Sequence, residues 1–241
     1  MIDQQVRFKV FRYKRGHGPP SYQVFSTAVD EDTTVLVALQ DIRRDQDPSL
    51  TFRHSCHHAS CGTCGMRING KEELSCVVKV LELSSTEVLV EPLDNLPMVS
   101  DLVVGMSNFY GNYSRSQMSV IRLSEFVQDP KEPTGTAQFQ RFENCLECGL
   151  CVSACPISGS DPEYLGPAAL AAAWRVVQEP RQADPKAALN RVDHEHGCWR
   201  CHVAYECTEV CPSDVDPGGS IMALRKTVLK KKVSRLFGSG D

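Results

Sequence analysis

Two stretches, Cys145-Leu-Glu-Cys148-Gly-Leu-Cys151-Val-Ser-Ala-Cys155-Pro156 and Cys201-His-Val-Ala204-Tyr-Glu-Cys207-Thr-Glu-Val-Cys211-Pro212, decide how this chain is read. The first has the spacing C-x2-C-x2-C-x3-C-P, a run that holds iron-sulfur cubes and in which the fourth cysteine ligates the other of two clusters. The second has the same spacing with alanine in place of the second cysteine. Crossing the fourth cysteines assigns Cys145, Cys148, Cys151 and Cys211 to a complete four-thiolate site for a 4Fe-4S cube. Cys155, Cys201 and Cys207 are left for the other site, with Ala204 at its vacant corner. Alanine has no lone pair for a fourth iron, so the expected occupant is 3Fe-4S.

Neither zinc nor disulfides account for these cysteines as well. Structural zinc takes four ligands in CxxC or Cys/His pairs, and eight cysteines in and around two prolyl-terminated runs exceed that need. Disulfides call for a secretory context, and no signal peptide is visible. Cys198 lies outside both runs and reads as a packed thiol rather than a substitute fourth ligand.

Working outward, the upstream segment Cys56-His-His-Ala-Ser-Cys61-Gly-Thr-Cys64 has the C-x4-C-x2-C spacing of plant-type 2Fe-2S proteins. Cys76 is the fourth ligand. Asn69-Gly70 marks a type I′ hairpin that returns Cys76 to the other three. Gly62 and Gly65 let backbone amides approach the sulfurs. His57 and His58 raise a Rieske alternative, but four cysteines already complete the site, and the two histidines read as partly exposed loop residues.

The remaining pattern supplies the frame. Val6-Arg-Phe8-Lys-Val10 alternates as a strand, and a second strand surrounds Tyr22 to Val29. Asp30 to Thr33 offers caps for a helix through Val35, Leu36, Leu39 and Ile42. Val88 to Val90 closes the sheet. Leu96 to Met106 has apolar spacing that suggests a helix. Residues 110–117 turn polar, and Gln128-Asp-Pro-Lys-Glu-Pro-Thr-Gly135 reads as a linker. Helices are expected over Ala168 to Gln178 with a stop at Glu179-Pro180, from Pro185 through Leu189, and from Pro217 to a basic end at Lys230, Lys231, Lys232 and Arg235. The basic end reads first as a solvated face and second as a contact for an acidic partner or anionic headgroups. The fold expected is α+β: a plant-type 2Fe-2S ferredoxin (β-grasp-like) domain at residues 1–110, a linker at 111–137, and an α-helical bacterial-ferredoxin-like two-cluster domain at 138–241.

The chain has 241 residues, twelve cysteines and a formal net charge of −4. Eleven cysteines fall into ligand spacings, pointing to a reducing compartment, and no basic field argues for nucleic acid. No apolar run approaches the roughly 20 residues of a membrane span. P-loop, dinucleotide and nucleophile motifs are missing, so the residues read as a wire for single electrons with redox partners at its ends.

On these motifs, together with Asn69-Gly70 through Cys76 and Cys201 through Asp216-Pro217, the chain resembles the iron-sulfur subunit of the succinate dehydrogenase and quinol:fumarate reductase family. The resemblance implies 2Fe-2S, 4Fe-4S and 3Fe-4S clusters linking an FAD-containing flavoprotein subunit, where succinate and fumarate interconvert, to a membrane anchor with a quinone site. The complex would lie on the cytoplasmic face of the cell membrane, the N-terminal domain facing the flavoprotein. His202 matches a quinone-site position. Ubiquinone-linked relatives often carry tryptophan after the first run, whereas Ile157-Ser158-Gly159-Ser160 has none, and Cys207 to Pro217 looks more like menaquinone-using fumarate reductases. Menaquinone is therefore favoured. A free-standing electron carrier or sensor, or a subunit serving a different flavoprotein, would carry the same motifs.

Overall fold

The computed structural model describes residues 4–116, 142–178 and 185–237. The chain divides into two compact units, residues 1–106 with 146–154 and residues 107–145 with 155–241.

The first unit is built on a five-stranded sheet. Strand β1 (Gln4–Arg12) pairs antiparallel with β2 (Ser21–Val29), placing Phe8 opposite Phe25. After helix α1 (Val35–Asp45) come β3 (Gly65–Ile68), β4 (Lys71–Leu74) and β5 (Glu87–Glu91), in the sheet order β2-β1-β5-β3-β4. The β5 strand lies parallel to β1 and antiparallel to β3. A parallel pair cannot be closed by a hairpin; the connection here includes α1, the cysteine loop and the β3-β4 hairpin. Val6, Phe8 and Val10 alternate inward with Val88 and Val90, and α1 buries Val35, Leu36, Ala38, Leu39 and Ile42. The cap of α1 is Thr34, whose Oγ1 accepts from the Val37 amide at 3.3 Å. Asp30 and Thr33 instead close a turn on each other, Thr33 Oγ1 donating to Asp30 Oδ1 at 2.6 Å.

The segment read as a helix from Leu96 to Met106 forms two short antiparallel strands, β6 (Met98–Ser100) and β7 (Val103–Val104). Asp101 between them is 1% exposed, and its carboxylate accepts from Tyr13 N at 3.0 Å, Thr51 N at 2.8 Å and Arg12 Nε at 3.2 Å. These distant donors fix a turn where the apolar spacing alone suggests continuity.

The second unit opens with α2 (Ser107–Ser116), whose residues from 110 read as polar and from 111 as linker. Phe109 and Tyr113, one helical turn apart, are both buried with ring centroids 4.9 Å apart. Of the expected linker, residues 117–137 lie outside the described residues, as does the Glu179-Pro180 stop. Helix α3 (Leu150–Ser153) belongs to the first unit. The second continues with α4 (Pro167–Gln178), α5 (Pro185–Val192), α6 (Glu206–Glu209) and α7 (Pro217–Leu236). Ala168, Ala169, Ala171, Ala172 and Ala173 are all buried in α4, letting α5 and α7 pack close. Leu170, Leu189, Val192, Ile221, Leu224 and Val228 form the resulting core. Asp216 caps α7 by accepting from Gly219 N at 3.0 Å, with Pro217 at the first position. At the basic end, Lys232 pairs with Asp193 at 2.7 Å and Lys231 donates to Asn190 at 2.9 Å.

Candidate metal centres

In the first unit the loop from Cys56 to Cys64 is curled by alternate left-handed residues, His57 (φ 66°), Ala59 (φ 56°) and Gly62 (φ 69°). A left-handed conformation costs a non-glycine residue about 1–2 kcal/mol. Here it turns consecutive amides towards sulfur. Ser60 N donates to Cys56 Sγ at 3.2 Å and Ala59 N to Cys76 Sγ at 3.3 Å. The His58 amide also reaches Cys56 Sγ, at 3.5 Å, and these donors pull the Cys56 thiol down to about 7. Cys61 Sγ lies 3.1 Å from Thr63 Oγ1. Cys64 is buried, which pushes its thiol up to about 11.

The hairpin brings in the fourth cysteine. Asn69 (φ 50°) and Gly70 (φ 84°) make the turn, and Asn69 Oδ1 accepts from Leu89 N at 2.8 Å, tying it to β5. Ser75 N and Oγ then both donate to the Cys64 carbonyl, at 3.2 and 3.0 Å. Cys56, Cys61, Cys64 and Cys76 are thus gathered around one loop. His57 faces His54, Nε2 to Nδ1 at 3.2 Å, and His58 Nδ1 lies against the Cys56 carbonyl. Both histidine rings are engaged by protein atoms.

The second unit repeats the backbone device. Val203 (φ 63°) and Tyr205 (φ 64°) flank Ala204, and Val203 N donates to Cys201 Sγ at 3.3 Å. Cys155, Cys201, Cys207 and Ala204 line one cavity of about 320 Å³, counting its open mouth. His202, Tyr164 and Ile157 line it too. Burial pushes the Cys207 thiol up to about 12, with Cys155 and Cys201 adding to the shift. The Tyr164 hydroxyl is pushed up by burial and by the same three sulfurs. Three thiolates crowded in an apolar cavity oppose one another unless positive charge sits among them. The iron of a cluster would supply that charge, and Ala204 offers a methyl where a fourth donor would stand. Cys198 packs instead in the helical core, its thiol raised to about 11 by burial.

Of the remaining candidates, Cys148 and Cys151 lie in the first unit and Cys145 and Cys211 in the second. Their grouping on one cube rests on sequence spacing. Around them Glu147 (φ 53°) and Gly149 (φ 83°) repeat the left-handed alternation, and Val215 N donates to Cys211 Sγ at 3.4 Å.

None of the described cysteines forms a disulfide. Among the described residues no three His, Cys, Asp or Glu side chains converge on a point as ligands of one ion would. Cluster ligands bind different irons, so they ring a site rather than meet at it. Sequence reasoning does not reach Tyr164 or Tyr205, which no motif marks. No motif marks the role of Arg225, whose Nε donates to the Cys198 carbonyl at 2.7 Å beside Cys201.

Residues 7–111 match a family described as a 2Fe-2S iron-sulfur cluster binding domain, and residues 141–215 match a 4Fe-4S dicluster domain. The fumarate reductase iron-sulfur subunit of Mycobacterium tuberculosis is 33% identical over 245 residues, covering 98% of this chain and 98% of the relative. That of Escherichia coli is 32% identical over 222 residues, covering 90% and 91%. The mitochondrial succinate dehydrogenase [ubiquinone] iron-sulfur subunit 1 of Oryza sativa is 37% identical over 201 residues, covering 81% and 71%. A chain of the Mycobacterium smegmatis Sdh1 complex has the same fold, with a TM-score of 0.82 at 22% identity over 96% of this chain and 98% of that one.

Proposed function

The chain belongs to the family of iron-sulfur subunits of fumarate reductases and succinate dehydrogenases, and we propose on that premise that it carries single electrons between an FAD-containing subunit, where succinate and fumarate interconvert, and a membrane quinone site. The observation that carries this reading is the cavity in the second unit, where three cysteines and Ala204 stand together. That composition suits 3Fe-4S, while the loop of Cys56, Cys61, Cys64 and Cys76 suits 2Fe-2S and the matched dicluster domain supports a 4Fe-4S centre on Cys145, Cys148, Cys151 and Cys211.

The clusters supply one-electron exchange when bound. The chain's part is to hold the thiolates and tune them. The amides of Ala59, Ser60 and Val203 donate to sulfur and so favour the more negative, reduced state of a centre. Tyr164 and Ile157 keep the walls of the second-unit cavity apolar. His202 sits exposed on the rim of that cavity, where its ring can hydrogen-bond a quinone oxygen. The chain's partners are then a flavoprotein and a membrane anchor on the cytoplasmic face, with menaquinone as the favoured quinone. Among the described residues no helix is long and apolar enough to cross a membrane.

Affinity purification of the tagged chain from its native source tests the proposal. An FAD protein should co-purify and interconvert succinate and fumarate. A chain that elutes alone with its clusters, or with a flavoprotein acting on another acid, would contradict it.

A further inference from the structure

We propose that Gly62, inside the 2Fe-2S loop, is the positioning residue for Cys148, a ligand of the other centre; this rests on the ligand assignment above. A Cβ at Gly62 would stand 2.6 Å from the Leu146 carbonyl oxygen, 2.9 Å from Cys148 Cβ and 3.1 Å from Cys148 Cα. Two of these neighbours are backbone atoms, which cannot swing aside as a long side chain would. Gly65 meets the same segment more gently: its Cβ would lie 3.1 Å from Leu150 Cδ2 and 3.3 Å from the Cys148 carbonyl oxygen. The missing side chains therefore make a seat into which Leu146 to Leu150 fits.

The segment is also held from its far end. Ser153 Oγ accepts from Asp94 N at 2.8 Å and donates to Glu72 Oε1 at 2.9 Å. Asn95 Nδ2 donates to the carbonyls of Val152 at 3.0 Å and Ser153 at 2.8 Å. Pinned there, the run cannot retreat as a whole from a new side chain at position 62. The displacement must fall on Leu146 to Cys148. A substitution within one cluster's loop thus damages the neighbouring cluster first.

The test uses the native complex carrying Gly62→Ala, Gly65→Ala, Gly16→Ala or Cys148→Ala, read by EPR of each reduced centre and by iron content. Gly16→Ala, in the loop between β1 and β2, is the control for backbone strain, since Gly16 has φ 83° but nothing within 4 Å of its Cβ position. Gly62→Ala should lose the 4Fe-4S signal and one cube's iron while the 2Fe-2S centre is retained with at most a shifted signal. Gly65→Ala, at an ordinary φ, should shift the 4Fe-4S signal without abolishing it. Gly16→Ala should leave every centre intact. Loss of the 2Fe-2S centre with the cube retained, unchanged spectra in both Gly62→Ala and Gly65→Ala, or the same cube loss in Gly16→Ala would each overturn the proposal. A 4Fe-4S signal that survives Cys148→Ala would overturn the ligand assignment and the proposal with it.

Discussion

The loop at 56–64 and the loop at 201–207 use one backbone device on different side chains. In each, two non-glycine residues are left-handed around a single residue, His57 and Ala59 around His58, Val203 and Tyr205 around Ala204. Each turns an amide onto a cysteine sulfur, at 3.2 Å for Cys56 and 3.3 Å for Cys201. The first loop gains a fourth thiol from a hairpin; the second finds a methyl where a thiol would complete the ring. The same backbone geometry turns an amide onto sulfur in both, and the side chains offered there differ by one thiol. Burial is alike in the two groups: Cys56, Cys61 and Cys201 are half-buried, whereas Cys64, Cys76, Cys155 and Cys207 are buried.

The largest expected effect comes from removing the hairpin's contribution. Cys76→Ala should abolish the 2Fe-2S EPR signal and leave the other centres in place. Loss of every centre would show that the two regions are not independent. Ala204→Cys should fill the vacant corner, and the oxidised 3Fe-4S signal should disappear in favour of a cube seen on reduction. Its persistence in a folded variant would show that ligand count does not set the difference between the loops.

The legible part of this comparison is the part set by local chemistry. Cysteine spacing reports ligation because a cluster fixes how far apart its thiolates stand, and Asn69-Gly70 reports a turn because few residues accept positive φ twice. The strand alternation at Val6, Phe8 and Val10 and the helical spacing of Val35 to Ile42 are equally open to reading. Leu96 to Met106 is not, because its apolar positions suit a helix or a hairpin and Asp101 decides through donors from Tyr13 and Thr51. Residues 111–116 read as linker on their serines, asparagine and glycine, which are poor helix formers. Burial of Phe109 and Tyr113 overrides that preference. The seat at Gly62 is hidden because its neighbour lies far along the chain, and nothing local to either residue announces the other.

Two smaller effects separate the units by stability. Leu224, fully buried in the helical core, should cost about 2–5 kcal/mol as Leu224→Ala. Denaturant unfolding should show the second unit melting earlier, with the 2Fe-2S signal persisting beyond it. The smallest effect concerns His196, also in the second unit, whose Nδ1 lies 2.8 Å from Asp161 and Nε2 2.9 Å from Glu163. The hydrogen bond to Asp161 raises His196 above its ordinary 6.5 and lowers Asp161 below its ordinary value. The pair's contribution is therefore complete between about pH 4 and 6.5, and is lost as pH rises through the folded pKa of His196. Thermal midpoints of wild type and His196→Gln should differ most in that window and converge at alkaline pH. A difference that grows with pH would contradict the assignment.

The most direct test of the account is EPR of the natively purified, air-oxidised protein followed by stepwise reduction. The contrast between the two loops predicts a 3Fe-4S signal before any reductant is added, with 2Fe-2S and 4Fe-4S signals emerging as electrons enter. An oxidised sample silent in that region, followed by two cubes on reduction, would mean that another group fills the corner at Ala204 and would contradict the account.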